Sequence, residues 1–194
     1  SYLLFGISIF NLVKIKEFTV SFLLKSFVMY GLFFLAAGIA QLFVLPDFET
    51  LDPLLGWDPH KNRLASTLFD PNFVGAIFVL CSLIVLFFEK GSRKIVLFLI
   101  LVLGIVLTFS RSTWLMFGFG VFIYSLAKDR RIIFVSLIVA TLAYYAVPRI
   151  QTRLSGTTDP ADSARFRLES WGNAVEIWKD NPFLGIGYNF YRYE

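Results

Sequence analysis

The stretch LTFSRSTWL, Leu107 to Leu115, decides how this chain folds, because it interrupts an apolar run that otherwise extends from Ile95 to Ala127. If the run crosses a bilayer, a charged side chain at its centre costs about 2.5 to 3.5 kcal/mol on insertion scales, so such residues tend to mark function. The side of the membrane that Arg111 faces therefore decides how its charge is accommodated.

The composition is that of a membrane protein. Of the residues, 57% are hydrophobic and only 16% are charged, and the mean hydropathy of +0.69 exceeds the usual globular mix. The long apolar runs predict an all-α, polytopic bundle of transmembrane helices.

The ends of the chain indicate a fragment of one larger domain. The first apolar block, residues 1–13, is shorter than the ~20 residues that a span needs, so we expect a truncated helix. No basic region precedes that block and no small-residue cleavage site follows it, which argues against a signal peptide.

Apolar runs and basic clusters predict the topology. The transmembrane bundle is expected over residues 1–147, with spans at 18–45, 73–88, 95–109, 113–127 and 132–147 after the partial helix. Eight basic residues lie in the short clusters between runs, which places those clusters in the cytoplasm. Lys25, inside the long first span, is expected to snorkel to the cytoplasmic interface.

The chain must cross an even number of times between the cytoplasmic clusters at 89–94 and 128–131. The 33 residues from Ile95 to Ala127 are too long for one span and suffice for two of about 22 Å each. The turn then falls at Ser110, Arg111 and Ser112, which puts Arg111 at the outer rim of a helical hairpin. The loop 46–72 and the segment 148–194 are also predicted to lie outside.

The first outer loop is rich in charge. Asp47, Glu49 and Asp52 are expected to be solvated, whereas Asp58 and Asp70 are candidate partners for Arg63. His60 is the only histidine. We expect it to be an exposed loop residue, and the alternative is that it acts as a general acid or base. Cys81 is the only cysteine and is expected to be a buried hydrophobe, so no disulfide or cysteine metal site is predicted.

The second outer segment contains an amphipathic helix, predicted at 160–180. Asp159 is a suitable cap, Pro160 suits the first helical position, and Asn181 with Pro182 ends the run. One apolar stripe follows the helix. It consists of Ala164, Leu168, Trp171, Val175 and Trp178. Arg167 lies at the border of this stripe, close to Trp171.

Three arginines on the predicted outer side each lie next to the end of a span or on an interfacial helix, namely Arg63, Arg111 and Arg167. Guanidinium groups match phosphate oxygens bidentately, so the three are candidates to bind the diphosphate of a lipid-linked substrate. The alternative is that they are ordinary snorkelling arginines at the membrane surface.

Three ordered blocks resemble the O-antigen ligase and O-antigen polymerase family. The block FRLESWGNAVEIWKDNPFLGIGYNFY is similar to the family signature of an arginine, a tryptophan four positions on, Asn-Pro and Gly-x-Gly. The matching residues here are Arg167, Trp171, Asn181, Pro182, Gly185 and Gly187. The SRS turn with Trp114, and RLASTLFDPNFVG with Arg63, Pro71, Asn72 and Gly75, are similar to the two preceding motifs.

The resemblance implies a membrane-embedded glycosyltransferase on the outer face of the bacterial cytoplasmic membrane. Such proteins transfer a glycan from an undecaprenyl diphosphate carrier to a glycan, lipid A core or protein acceptor, and they are taken to need no cofactor, no metal and no nucleotide sugar at the active site. The sequence has no basic stripe with interleaved aromatics, so no nucleic-acid partner is predicted. Arg63 and Arg111 would hold the diphosphate, and Arg167 would lie in the loop that covers the site. The supporting motif residues would be Asn72, Ser110, Trp171, Gly185 and Gly187.

The family's catalytic histidine follows the Gly-x-Gly element, and this chain stops at Glu194. His60 precedes the second motif and does not match it, so we assign no catalytic residue and expect the fragment to lack that histidine.

Two other classes of function remain open. A transporter or flippase of lipid-linked glycan would place ionisable groups near the midplane, yet the predicted spans contain only Lys25. A non-catalytic membrane scaffold would need no outer arginines, so their replacement would leave its function unchanged.

The topology can be tested by cysteine labelling of intact cells. We expect a membrane-impermeant maleimide to label the Ser112→Cys variant and not the Asp129→Cys variant, because only the first position is predicted to lie outside. The parent protein, which has only Cys81, is the control, and the reverse pattern would overturn the topology.

Overall fold

The computed structural model describes residues 2–15, 19–51, 60–155, 163–183 and 185–187. These residues form α-helices and two short 3₁₀ turns, Phe48–Thr50 and Ser66–Leu68, and they contain no β-strand. The predicted all-α class is confirmed. The chain divides into two compact units, Ser1–Val147 and Pro148–Glu194.

The described residues of the first unit form six α-helices. In chain order they are α1 (Tyr2–Lys14), α2 (Val20–Val44), α3 (Pro71–Phe88), α4 (Gly91–Leu107), α5 (Arg111–Ala127) and α6 (Arg131–Ala146). The second unit contains α7 (Pro148–Ser155) and α8 (Ser163–Asp180). The proposed cap of the amphipathic helix, Asp159 with Pro160, lies outside the described residues.

Within the part of the chain that the structure describes, two helices, α2 and α3, are long and apolar enough to cross a membrane. The number rises to three if α6 and the following helical residues, which are interrupted at Val147, form one span. Large apolar side chains remain exposed on these helices, for example Phe33, Phe43 and Phe73. A surface of this kind suits lipid rather than water.

The core of the first unit is built around α3, which packs against α2, α4 and α5. Phe78 on α3 and Phe98 and Leu101 on α4 are fully buried. Asp70 begins α3 as its N-cap, since its carboxylate accepts hydrogen bonds from Asn72 N (2.6 Å) and Phe73 N (3.2 Å). Pro71 follows at the first helical position, where its missing N–H costs nothing.

Glycines let these helices approach closely. A Cβ at Gly31 of α2 would lie 2.5 Å from Cys81 Sγ on α3, and one at Gly104 of α4 would lie 2.9 Å from the Phe78 ring. Small residues at such crossings are typical of helices that pack in a membrane. The positions of α3, α4 and α5, and of the loops at their ends, therefore depend on these contacts.

The Gly31 contact gives a stability prediction. Gly31→Ala should lower the stability of the detergent-solubilised protein by about 1 to 3 kcal/mol, because the new methyl group overlaps Cys81 in a packed core. The matched control is Gly118→Ala on α5, where an added Cβ meets nothing within 4 Å. That variant should be neutral, or more stable by up to about 1 kcal/mol from helix propensity. Equal shifts in the thermal midpoint would contradict the packing role.

Candidate functional site

Two segments that lie outside the α-helices meet at one end of the first unit. One is the Arg63 segment (residues 60–69), which leads into α3, and the other is the α4–α5 turn (residues 108–110). Leu64 N donates to Leu107 O at 3.0 Å, and Arg63 Nε donates to Thr108 O at 2.9 Å. The contact between the two segments therefore brings Arg63 to the turn that precedes Arg111.

The guanidinium of Arg63 is held by two neighbours. Its Nε atom is bound to Thr108 O, and its Nη1 atom lies 3.3 Å from Nδ1 of His60. Because arginine can only donate, Nδ1 of His60 is the acceptor and the ring proton resides on Nε2 in this contact. His60, which we expected to be an exposed loop residue, is half-buried and lies beside Phe48, with ring centroids 6.2 Å apart.

Of the two aspartates expected to pair with Arg63, the structure describes only Asp70. Asp70 instead caps α3, and Asp58 lies outside the described residues. Of the acids expected to be solvated, Asp47 forms a 2.9 Å ion pair with Lys61. The anchor that the structure shows for Arg63 is a backbone carbonyl, which no local sequence pattern indicates.

Arg111 is the first residue of α5. The predicted turn at residues 110–112 falls slightly earlier, at residues 108–110, so Arg111 begins a helix rather than occupying a loop. Ser110 is the N-cap, since its Oγ accepts from Thr113 N at 3.2 Å. A helix N-terminus has a partial positive charge and donor N–H groups, so the helix adds to the charge of Arg111.

The first turns of α3 and α5 are joined by polar side chains. Ser110 Oγ donates to Asn72 Oδ1 at 2.7 Å, and Ser112 Oγ lies 3.0 Å from Ser110 Oγ. Close approach is possible because Gly75 has no side chain; a Cβ there would lie 2.8 Å from Thr113 Cγ2. The N-termini of α3 and α5 thus converge at the end of the first unit where Arg63 and Arg111 lie.

Thr108 organises the turn between α4 and α5. Its hydroxyl donates to Ile105 O at 2.7 Å and accepts from Ser110 N at 3.3 Å, while its carbonyl accepts from Arg63. Trp114 adds a further contact from α5 to α4, since its Nε1 donates to Ile105 O at 3.2 Å. The turn is therefore fixed by side chains on both of its sides.

Backbone strain is concentrated in the same two segments. Among the described residues, positive φ angles at non-glycine positions occur at Asn62, Ser66, Phe69 and Phe109, with φ between 48° and 54°. Each such residue costs on the order of 1 to 3 kcal/mol and persists only where the surroundings hold it, as happens at many functional sites. Here Asn62 N donates to Pro46 O at 2.6 Å, and Phe69 packs against the buried Phe48.

One residue of this end was missed by sequence analysis. Gln41, in the last turn of α2, accepts from Ala65 N at 3.0 Å and Ser66 N at 3.3 Å through its Oε1. The available signal was the single carboxamide of a largely apolar helix, since such a polar residue is unusual in a membrane span.

The remaining predicted residues belong to the second unit. Arg167 lies within α8, but its side chain is outside the described part of the structure. Trp171 is 66% exposed on the same helix. Gly185 and Gly187 have φ angles of 61° and 98°, a conformation that glycine adopts without cost. The role expected for Arg167 therefore rests on the sequence alone.

The site can be described by its charge. Among the described residues, Arg63, Arg111 and two helix N-termini contribute positive charge at this end of the first unit, and the Asp70 carboxylate offsets part of that charge. Such an arrangement suits an anion with several oxygen atoms. Within the described residues no group of three or more His, Cys, Asp or Glu side chains is placed to hold a metal ion.

Comparison with known proteins gives one family match. Residues 96–194 match the family model described as O-antigen ligase. Arg111, Arg167, Trp171 and the two glycines lie inside the matched region, whereas Arg63 and Asn72 precede it. No curated protein and no solved structure matches the chain.

The serine network gives a prediction that separates two neighbouring residues. Ser110→Ala should lower the stability of the detergent-solubilised protein by about 1 to 2 kcal/mol, because it removes both the cap of α5 and the bond to Asn72. Ser112→Ala is the matched control, since Ser112 is exposed and lies 3.4 Å from Asn72 Oδ1; its cost should stay below about 0.5 kcal/mol. Thermal midpoints measure both, and equal losses would contradict the capping role.

Proposed function

The chain belongs to the O-antigen ligase family, and on this premise we propose that it transfers or polymerises a glycan from an undecaprenyl diphosphate carrier. The reaction would take place on the outer face of the bacterial cytoplasmic membrane. The observation that carries this proposal is the contact between the Arg63 segment and the α4–α5 turn, which gathers two arginines and two helix N-termini at one end of the helices.

The proposed chemistry is a displacement at the anomeric carbon of the donor sugar. A hydroxyl of the acceptor forms a bond to that carbon as the bond to the phosphate oxygen breaks. The electron pair leaves with the diphosphate, and a general base takes the hydroxyl proton. No oxidant, reductant or further co-reactant is needed. We assign no residue to the base, since His60 does not match the family's histidine.

Arg63 and Arg111 would stabilise the charge that develops on the departing diphosphate. Such groups are most effective when they are oriented before the reaction, because no reorganisation is then needed in the transition state. The bond from Arg63 Nε to Thr108 O supports this role, since it fixes the plane of the guanidinium. Asn72 and Ser110 would support the site by holding α3 and α5 together.

The proposed orientation of the bundle follows from the charges at its other end. Lys90, Arg93 and Lys94 lie at the start of α4, and a second basic cluster, residues 128–131, follows α5. The positive-inside rule would place these clusters in the cytoplasm and the opposite end, with Arg111, outside. Helices α4 and α5 have 17 residues each, about 26 Å at 1.5 Å per residue, which suits short spans.

The segment 148–194 would form the outer loop of this polytopic bundle. Trp171, Val175 and Trp178 on α8 are exposed, and tryptophans of an amphipathic helix favour the membrane interface. A helix that lies there would bring Arg167 to the depth of lipid phosphates. The acceptor would be another lipid-linked glycan, lipid A core or a protein.

The role of Arg111 can be tested by a conservative substitution. Arg111→Lys in the full-length protein should reduce glycan transfer from the diphosphate-linked donor at least tenfold, because lysine keeps the charge but cannot form the planar bidentate contact. The matched control is Arg130→Lys at the opposite end of α5, which should leave transfer unchanged. Transfer of radiolabelled glycan in isolated membranes measures both variants. Unchanged transfer in Arg111→Lys would exclude the proposed diphosphate contact.

A further inference from the structure

Gln41 is a polar residue of α2 that joins this helix to the Arg63 segment. Its side chain is half-buried and forms three hydrogen bonds. Oε1 accepts from Ala65 N at 3.0 Å and from Ser66 N at 3.3 Å, and Nε2 donates to Leu45 O at 2.8 Å. Because the two backbone N–H groups can only donate, the orientation of the carboxamide is determined by its partners.

These bonds satisfy backbone groups that water cannot reach. Ala65 is fully buried and Ser66 is 2% exposed, so an unsatisfied N–H at either residue would cost the full desolvation penalty. Ser66 also has a left-handed φ of 54°, which is unfavourable for a residue other than glycine. The carboxamide of Gln41 therefore stabilises a backbone conformation that the segment would not adopt unaided.

The neighbouring turn of α2 holds the same segment by packing. Leu64 is fully buried, and a Cβ at Gly38 would lie 2.5 Å from Leu64 Cδ2. Gly38 and Gln41 are three positions apart and so share one face of α2. That face receives the side chain of Leu64 and the backbone N–H groups of Ala65 and Ser66.

Arg63 immediately precedes these residues. The segment is also attached to the end of α4 and the turn that follows it. Leu64 N donates to Leu107 O, and Arg63 Nε donates to Thr108 O. The Arg63 segment is therefore held between α2 and the end of α4, and we expect removal of either attachment to make the position of the guanidinium less well defined.

We propose that Gln41 is a positioning residue for glycan transfer, which acts by holding the Arg63 segment in the geometry that presents the Arg63 guanidinium to the diphosphate of the donor. The proposal rests on the proposed function for the role of Arg63. Gln41 itself acts through the backbone of Ala65 and Ser66 and has no contact with the reacting atoms in this scheme.

The local part of the proposal is tested by amide hydrogen exchange on the full-length protein in detergent. In Gln41→Met, the peptide covering residues 64–68 should exchange about tenfold faster, the factor expected for one lost hydrogen bond of ordinary net strength. Gln41→Glu keeps an acceptor for both N–H groups and should retain most of the protection. Ser26→Ala, which removes a half-buried polar group about four turns away on α2, is the control and should not change this peptide. Unchanged exchange in Gln41→Met would overturn the proposal.

The functional part is tested by a double-mutant cycle. Gln41→Met should reduce transfer roughly ten- to a hundredfold, as a small misplacement of a positioned group does, with partial recovery in Gln41→Glu. In an Arg63→Lys background the same substitution should have little further effect, because both changes act on one contact. Additive losses would mean that Gln41 acts elsewhere, and this inference would be wrong.

The two proposals fail in different ways. If Arg63→Lys reduces transfer while Gln41→Met leaves it unchanged, the positioning role is wrong and the proposed function stands. If Arg63→Lys and Arg111→Lys both leave transfer unchanged, the diphosphate role is wrong, and faster exchange in Gln41→Met would then show a structural contact only.

Discussion

The first unit depends on one constraint: buried backbone that leaves the α-helical conformation must find hydrogen-bond partners within the protein. The chain leaves the helical conformation at the Arg63 segment and again at the α4–α5 turn. Polar groups of these two segments form hydrogen bonds with each other: Leu64 N donates to Leu107 O, and Arg63 Nε donates to Thr108 O. Gln41 satisfies the next two N–H groups of the segment. A pair of irregular segments that would be costly separately is therefore stable together, and their meeting defines the candidate site.

Helix packing makes that meeting possible. Gly75 allows α3 to approach α5 at Thr113, and Gly38 allows α2 to accept Leu64. Close contact at these two points brings the first turns of α3 and α5 within reach of a single Asn72 to Ser110 hydrogen bond of 2.7 Å. The convergence of the helix N-termini requires the space that these glycines leave.

Much of the helical architecture follows from local sequence. Apolar runs predict helices near the observed α2 to α6, because hydropathy and length are properties of neighbouring residues. The interruption at Ser110 and Arg111 is likewise visible as a polar break in an apolar run, although the structure begins α5 at Arg111. The resemblance to a known family is confirmed by the match over residues 96–194.

The anchors of the site could not be predicted in this way. Arg63 is bound to a carbonyl 45 positions away, and any residue has a backbone carbonyl, so the identity of Thr108 gives no signal. Asp70 shows a different failure of sequence reasoning. Its charge suggested that it would pair with Arg63, whereas its position before Pro71 makes it the N-cap of α3. The left-handed Ser66 and Phe109 have side chains that give no indication of such a backbone. All these features depend on contacts between distant segments.

The electrostatics of this end favour an anionic ligand over a neutral one. Arg63 and Arg111 carry like charges at one end of the first unit and repel one another, and among the described residues the Asp70 carboxylate compensates part of that charge. A neutral glycan would leave that repulsion unchanged, whereas a diphosphate would relieve it and accept hydrogen bonds from several donors at once. Rigid attachment of Arg63 strengthens the preference, because the repulsion cannot then be relieved by movement of the arginine into solvent. The strained backbone and the buried hydrogen bonds thus have a common consequence, which is to hold Arg63 in a fixed position where an anionic group would stabilise its charge.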